Sequence, residues 1–208
     1  MTAMPHPAPL RARMLRPLWR PGLLRAGLLA LVLALCGALA APARPAAQEP
    51  AGSSVEHSVK AAFLYKFLGY VEFPAAALAG PNAPLTVGVV GADDIAAELA
   101  RITVGRNVAG RAIAVRVVHD GEPLAGLQML FVAGAEAARP PLMRAAQQLG
   151  ILTVTEADNG LQLGSVINFR QVEDRIRFEV SLEAADKSGL KLSSRLLAVA
   201  YHVRRDPP

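Results

Sequence analysis

The chain has 208 residues, with 22 basic residues against 17 acidic ones and a formal charge of +5 at neutral pH. Five of the basic residues are arginines within the first forty positions, which hold no acidic residue, so the remaining 17 basic and 17 acidic residues balance. Such a neutral remainder lacks the basic stripe on which nucleic-acid binding depends, and that class of function is excluded.

The first forty residues predict a secretory signal peptide. The arginines lead into an apolar run over residues 26–39, and Ala38 and Ala40 are small residues at the positions that signal peptidase reads. A run of about fourteen residues is short for a spanning helix, which needs about 20. An uncleaved anchor and a lipoprotein modified at Cys36 are the alternatives. We expect cleavage after Ala40 and a periplasmic mature protein that begins near Ala41.

Cys36 is the only cysteine, so the predicted mature chain has no disulfide and no thiol chemistry. Its roughly 168 residues suit one domain, which at about this size buries roughly 68–70% of its unfolded surface. Residues 41–54 are rich in Ala and Pro and predict a flexible linker. The domain itself is expected over residues 55–203.

Five of the nine aromatic residues beyond the leader lie between Phe63 and Phe73. The spacing of the apolar residues predicts a helix that Ser58 caps and Pro74 stops. Lys60 and Lys66 lie off the predicted buried stripe, which consists of Val59, Phe63, Phe67, Tyr70 and Val71. An aromatic stripe of this kind indicates either a core helix or a recognition surface.

The middle of the chain alternates buried strands with helices, which is typical of a doubly wound or three-layer α/β fold. Pro140 and Pro141 stand at a helix start, where the missing N–H of proline costs nothing. The predicted strands cover residues 85–90, 112–118, 127–132 and 151–155, and the predicted helices cover residues 93–101 and 140–149.

The last quarter of the chain changes character. Residues 166–171 and 175–181 flank a polar turn and predict an antiparallel hairpin with one wet face. A short helix over residues 182–187 stops at Gly189, and a last helix is capped by Ser193 or Ser194. The predicted fold is a single-domain, three-layer α/β sandwich with a mixed sheet, a C-terminal antiparallel hairpin and a terminal helix.

The sequence offers no recognisable catalytic, cofactor or metal site. His57, His119 and His202 are far apart and lack metal-ligand spacing. Ser165 lies outside any Gly-x-Ser-x-Gly elbow. Whether the carboxylates of Glu72, Asp120 and Glu156 converge in space stays open.

A phosphate loop is also disfavoured. Gly91 follows a buried strand, but Asp93 and Asp94 occupy the start of the next helix and would repel a phosphate. We interpret the two carboxylates as caps of that helix and expect no enzyme, although an unrecognised hydrolase remains an alternative.

Three segments occur in a characteristic order: the aromatic helix with its Glu-Phe-Pro exit, the strand 151–155 with a glycine-bearing loop into residues 166–169, and the ending 189–197. Together they resemble the YfiR-like family of periplasmic proteins. The resemblance implies a compact α/β domain without chemistry. It also implies binding to the periplasmic part of an inner-membrane diguanylate cyclase, which is held inactive so that its release raises cyclic di-GMP.

The matching positions lie at both ends of the domain. They are Lys60, Ala61, Ala62, Phe63, Leu64, Tyr65, Phe67, Val71, Glu72, Phe73 and Pro74, with Asn168, Phe169, Ser193, Ser194, Leu196 and Leu197. Phe73 stands where the family commonly has tryptophan. The mature chain has no cysteine, so the disulfide control attributed to the best-known member cannot operate here.

Two hypotheses of function follow. The first is a periplasmic regulator that represses an inner-membrane signalling protein, and the second is a periplasmic small-ligand-binding domain without a cyclase partner. A homodimer and an unknown small ligand stay open. Because aromatic side chains are enriched in interface hot spots, the predicted partner-binding residues are Phe63, Tyr65, Lys66, Tyr70, Glu72 and Phe73.

Overall fold

The computed structural model of the chain describes residues 51–134 and 139–205. The predicted signal peptide and residues 41–50 of the predicted linker lie outside them. The helices are α1 (Ala51–Leu68), α2 (Asp93–Thr103), α3 (Pro140–Gln148), α4 (Leu182–Lys187) and α5 (Ser194–Val199), and a 3₁₀ turn covers Ala75–Ala77. The strands are β1 (Val71–Glu72), β2 (Leu85–Val90), β3 (Asn107–Val108), β4 (Arg111–Val117), β5 (Met129–Val132), β6 (Leu152–Thr155), β7 (Ile167–Val172), β8 (Arg175–Ser181), β9 (Lys191–Leu192) and β10 (His202–Arg204).

Within these residues, eight strands form one mixed sheet in the order β10-β8-β7-β6-β5-β2-β4-β3. The strands from β7 through β6, β5 and β2 to β4 are parallel. All four residues of β5 and of β6 are buried, as expected for parallel strands covered on both faces. Antiparallel pairs occur near the two ends, between β7 and β8 and between β3 and β4.

Two apolar clusters cover the two faces of the sheet. The larger one joins α1 and α2 to the sheet through residues such as Leu64, Phe67 and Leu99. The smaller one lies under α3 and contains Leu130, Ala146 and Ile151. The predicted three-layer α/β sandwich with a mixed sheet is therefore confirmed.

The β7–β8 hairpin is also as predicted. Glu173 and Asp174 both have positive φ, of 49° and 56°, which is the geometry that a two-residue hairpin turn requires. Along β8, Phe178 and Val180 are buried while Arg175 and Arg177 are exposed. The alternation places one face of the hairpin against the core and the other in solvent.

The C-terminal part of the chain contains both confirmed and unforeseen elements. α4 ends before Gly189, whose φ is +67°, and Ser193 caps α5 by accepting a hydrogen bond from the Arg195 N–H at 3.3 Å. No sequence pattern predicted β10, which pairs in parallel with β8, or the antiparallel pair of β1 and β9. Strands of two or three residues are too short to show an alternation of apolar and polar residues.

The predicted start of the aromatic helix is wrong. α1 begins at Ala51, so residues 51–54 belong to the helix and not to a linker. Ser58 is an interior helical residue, and its hydroxyl donates to Glu98 Oε1 at 3.0 Å instead of capping α1. Packing of α1 along α2 extends the helix beyond the aromatic segment.

The predicted end of this helix is also wrong. α1 ends at Leu68, where the N–H groups of Gly69 and Tyr70 bond to the carbonyls of Lys66 and Phe67, each at 3.0 Å. Tyr70 therefore lies in a turn. Val71 lies in β1 because pairing with Leu192 competes with helix continuation, so Pro74 is not the residue that stops the helix.

Two smaller expectations also need correction. The N-cap position of α2 is Ala92, and no side chain caps this end, so Asp93 and Asp94 lie in the first helical turn, where they still favour the helix dipole. Val59 is 36% exposed, outside the buried stripe to which the sequence assigned it. Among the described residues, no helix combines the length and apolar character needed to span a membrane.

Candidate functional site

The predicted partner-binding residues of α1 occupy different flanks of the helix. The helix buries Ala61, Leu64, Phe67 and Leu68 against the sheet. With 100° between successive residues, Phe63 and Tyr65 fall on opposite sides of Leu64, and Lys66 points outward. The structure therefore does not join these three residues into one continuous patch.

Phe63 belongs to an aromatic cluster on the β7–β8 side. Its ring centre lies 5.9 Å from that of Phe67, 6.0 Å from that of Phe169 and 5.6 Å from that of Phe178. Tilted and edge-to-face pairs at these separations are favourable. Phe63 is only half-buried, so it closes the core and still presents part of its ring to solvent.

Tyr65 lies on the α2 side of the helix. The guanidinium of Arg106, from the loop after α2, is 5.3 Å from the centre of its ring, which is a cation–π contact. Lys66 is exposed beside it in sequence. Tyr65, Lys66 and Arg106 together form the surface that we name the Tyr65 patch.

Tyr70, Glu72 and Phe73 lie beyond the end of α1. The Tyr70 carbonyl accepts a hydrogen bond from the Ser193 N–H at 2.9 Å. Glu72 is exposed in β1 opposite Lys191 of β9, and Phe73 packs partly buried against the core. This group thus marks the junction of α1 with the C-terminal part of the chain.

Lys60 was expected off the buried stripe, and this expectation is wrong, because the residue is only 7% exposed. Its ammonium donates to Glu156 Oε2 at 2.6 Å and also to the Glu56 carboxylate. Burial opposes the charge of Lys60, but the hydrogen bonds to Glu156 and Glu56 outweigh that effect and raise its pKa. An amine nucleophile needs a lowered pKa, so this lysine is suited to holding charge rather than to covalent catalysis.

The Lys60 cluster borders a cavity of about 350 Å³ near the end of β6 and the β7–β8 hairpin. Arg170 donates from Nη1 to the Asp158 carbonyl at 3.0 Å. The walls are mostly charged, with apolar surface from Phe169 and Ile176. The charged lining residues are Glu56, Lys60, Glu156, Asp158 and Arg170.

The three carboxylates whose convergence the sequence left open have separate surroundings. Glu156 pairs with Lys60, Asp120 pairs with Arg139, and Glu72 faces Lys191 across β1 and β9. The histidines are likewise scattered, with His57 near Asp94 in a small cavity between α1 and α2 and His119 and His202 exposed. In the part of the chain that the structure describes, no group of three or more metal-ligating side chains comes together.

A contact between α1 and α2 adds a further charged group. Glu98 binds Arg101 through two hydrogen bonds of 2.8 Å and accepts a third from Ser58 at 3.0 Å. The Arg101 hydrogen bonds, helped by the one from Ser58, lower the pKa of the Glu98 carboxyl to about 2. The first half of α1 is thereby joined to α2 through an ionised side chain.

Comparison with known proteins decides the family. A sequence model of the YfiR/HmsC-like family matches residues 57–201. The chain belongs to this family. The YfiR/HmsC-like family is one of periplasmic regulators associated with cyclic di-GMP signalling.

Other comparisons add little beyond this. No curated protein matches the chain in sequence. Among solved structures, the chain is similar to a conserved domain protein from Vibrio cholerae O1 biovar eltor str. N16961, with 11% identity and a TM-score of 0.48. The match covers 71% of this chain and 60% of that protein, so the chain spans less than two thirds of its length.

Proposed function

We propose that this protein is exported through a cleaved signal peptide and acts in the periplasm. There it binds the periplasmic portion of an inner-membrane diguanylate cyclase and represses it, performing no reaction itself. The observation that carries the proposal is the family match over residues 57–201. The charge-neutral composition after the leader argues against a nucleic-acid partner, and the raised pKa of Lys60 does not suit an amine nucleophile.

The Tyr65 patch is the contact surface that we favour. Tyr65 and Arg106 combine an aromatic ring with a guanidinium, and tyrosine and arginine are among the residue types enriched in interface hot spots. The cation–π contact holds the ring against the loop after α2. Binding therefore costs less conformational entropy, because the Tyr65 side chain is already ordered. Phe63, Tyr70, Glu72 and Phe73 contact the partner in the same proposal as secondary positions.

Repression needs a difference in affinity between two forms of the cyclase. A bound protein shifts an equilibrium only by the ratio of its affinities for the two states. A regulator that prefers the inactive form tenfold would change the equilibrium by about 1.4 kcal/mol. Because the mature chain has no cysteine, the signal that ends repression acts through a ligand, a competing protein or mechanical release.

A pull-down from solubilised membranes tests the proposal. The tagged chain is expressed with its leader, collected from the periplasm and mixed with detergent-solubilised inner membranes, and the retained proteins are identified by mass spectrometry. We expect an inner-membrane protein with a cytoplasmic cyclase domain. Retention of abundant soluble and outer-membrane proteins alone would contradict the regulator proposal.

A second function, binding of a small ligand, is favoured by the charged cavity beside Lys60. Its volume of about 350 Å³ is within the range of small-molecule sites. A ligand that binds only the folded state raises the melting temperature, so a thermal-shift screen of small charged compounds tests this function. A shift that Lys60→Met abolishes would support it, and no shift with any compound class would reject it.

A further inference from the structure

One edge of the large sheet is open for most of its length. β4 pairs with β2 from Ile113 to Val117, but on its other side β3 pairs only with Arg111 and Ala112. The β3–β4 turn is tight, with positive φ at Ala109 and Gly110. Along residues 113–117, no strand within residues 51–134 and 139–205 covers the outer side of β4.

The backbone of this open stretch presents hydrogen-bonding groups outward. The Val118 N–H donates to the Val89 carbonyl at 2.8 Å. Backbone groups alternate sides along a strand, so those of Ala114 and Arg116 also point to β2, whereas those of Ile113, Val115 and Val117 point away from it. Three N–H groups and three carbonyls thus form a free template for another strand.

The usual protections of a sheet edge are absent from this stretch. Natural edges carry proline, inward-pointing charge or a bulge that blocks pairing. Residues 113–117 contain no proline, and the register with β2 runs without a bulge. The one charged side chain, Arg116, is already engaged by Glu122 and the Pro123 carbonyl.

A groove lies directly beside the open edge. It has a volume of about 440 Å³ and separates the end of α2 from the β3–β4 hairpin. Val104, at its border, is 80% exposed, so an apolar side chain is open to solvent at the rim of the groove. The groove can receive a side chain of an added strand. Its lining is mixed: Ala100, Thr103, Val104, Ala112 and Ile113 lie beside the polar Asn107 and the charged Arg106.

The charges around the edge indicate what kind of strand fits. The carboxylates of Glu98 and Glu122 are paired with Arg101 and Arg116. Arg106 is exposed, and its contact within the described residues is with the Tyr65 ring. Lys66, which follows Tyr65 in α1, is also exposed. The surroundings are therefore basic. A second copy would bring the same cations against one another, so charge complementarity favours an acidic segment.

We propose that the outer edge of β4 binds an extended, acidic segment of a partner protein by strand addition. The segment pairs with the backbone of Ile113, Val115 and Val117, places an apolar side chain in the neighbouring groove, and directs a carboxylate toward Arg106 and Lys66. The Tyr65 patch adjoins the edge, so we expect the segment to come from the protein that this patch binds. The identity of that protein rests on the proposed function. The strand-addition site itself does not depend on a cyclase.

Hydrogen exchange measured by nuclear magnetic resonance tests the site without the natural partner. The probe is a synthetic acetylated peptide that alternates glutamate with valine over seven residues, and the matched control peptide carries lysine in place of glutamate. In the free protein, we expect fast exchange at the amides of Ile113, Val115 and Val117 and slow exchange at those of Ala114 and Arg116. The acidic peptide should slow the first three, and the basic peptide should not.

Variants separate the backbone contribution from the charge contribution. Val115→Pro removes one outward N–H and should weaken peptide binding about tenfold, whereas Val115→Ala, which shortens the side chain but keeps the N–H, should bind nearly normally. Arg106→Glu should also weaken binding, and Arg175→Glu, at the distant hairpin turn, should not.

The proposal is overturned if the acidic peptide protects none of the three amides at millimolar concentration, or if both peptides protect them equally. Protection that appears in the free protein and grows with its concentration would mean that a second copy occupies the edge, and it would overturn the acidic-segment proposal as well. Peptide binding together with an empty membrane pull-down would keep the site and reject the cyclase as its partner.

Discussion

The Arg106 guanidinium lies 5.3 Å from the centre of the Tyr65 ring, and this contact joins the outer flank of α1 to the loop that leads into the open edge of the sheet. The two residues are 41 positions apart, and packing of α1 on α2 brings them together. An aromatic residue that the sequence placed off the buried stripe is thereby held in one orientation on the surface.

The first prediction concerns Tyr65. Tyr65→Ala should weaken retention of the membrane partner while lowering the free energy of unfolding by about 1–2 kcal/mol, because the half-buried ring loses its contact with Arg106 and part of its packing on the core. Tyr65→Phe keeps the ring and should retain binding. Pull-down yield and thermal melts measure both effects, and a loss of several kcal/mol would place Tyr65 in the core instead.

The second prediction concerns Glu72. Its side chain is exposed in β1 opposite Lys191. An exposed pair contributes about 0–1 kcal/mol, so Glu72→Ala should leave the melting temperature nearly unchanged. We expect weaker partner binding in the same pull-down. Unaltered binding by Glu72→Ala, alongside impaired binding by Tyr65→Ala, would remove Glu72 from the interface.

The third prediction concerns Lys60. Lys60→Met leaves the Glu56 and Glu156 carboxylates without their shared cation and should destabilise the domain by about 1–3 kcal/mol. The loss is smaller than for a fully buried pair because both carboxylates keep some solvent contact. Adding Glu156→Gln to Lys60→Met should recover part of the loss. Chemical denaturation of the single and double variants measures this, and additive losses would contradict the coupling.

The fourth prediction concerns Gly160, where a Cβ would overlap the side-chain oxygens of Asn168 and Thr155. Both side chains belong to a buried network in which Thr155 donates to Asn168 Oδ1 at 2.7 Å. Gly160→Ala should therefore cost about 1–3 kcal/mol, as overpacking does. Gly69→Ala, where a Cβ has ordinary contacts, is the matched control. Equal melting temperatures for the two variants would contradict the packing argument.

The fifth prediction concerns pH. The pKa of Glu98 is lowered from 4.5 to about 2, so its ionised form stabilises the folded state above pH 4.5 and loses that effect as pH falls toward 2. Glu98→Gln should lower the melting temperature at neutral pH, and the difference from the parent protein should shrink between pH 4.5 and 2. A difference that is constant over this interval would rule out linkage through Glu98.

The parts of the fold that were predictable carry strong local patterns. Buried runs marked β2, β5 and β6, Pro140 marked the start of α3, and alternation marked the hairpin of β7 and β8. The end of α1 was not predictable, because it depends on pairing of Val71 with Leu192, more than a hundred residues later.

The candidate site was less predictable than the fold for the same reason. Lys60 is one turn before Leu64, so spacing alone could have placed it on the buried face, but a lysine there is acceptable only because Glu156, 96 positions away, accepts its hydrogen bond. The stacking of Arg106 on Tyr65 likewise depends on tertiary packing. Residue type identified the aromatic segment, whereas the division of its side chains between two flanks required the structure.

The most direct test of repression is the cellular level of cyclic di-GMP, measured by mass spectrometry in a strain that lacks this chain and in complemented strains. The proposal predicts a rise on deletion that the parent chain and Arg175→Glu reverse and that Tyr65→Ala, although exported at the same level, does not. An unchanged level of cyclic di-GMP on deletion would contradict the proposal that this protein represses a diguanylate cyclase.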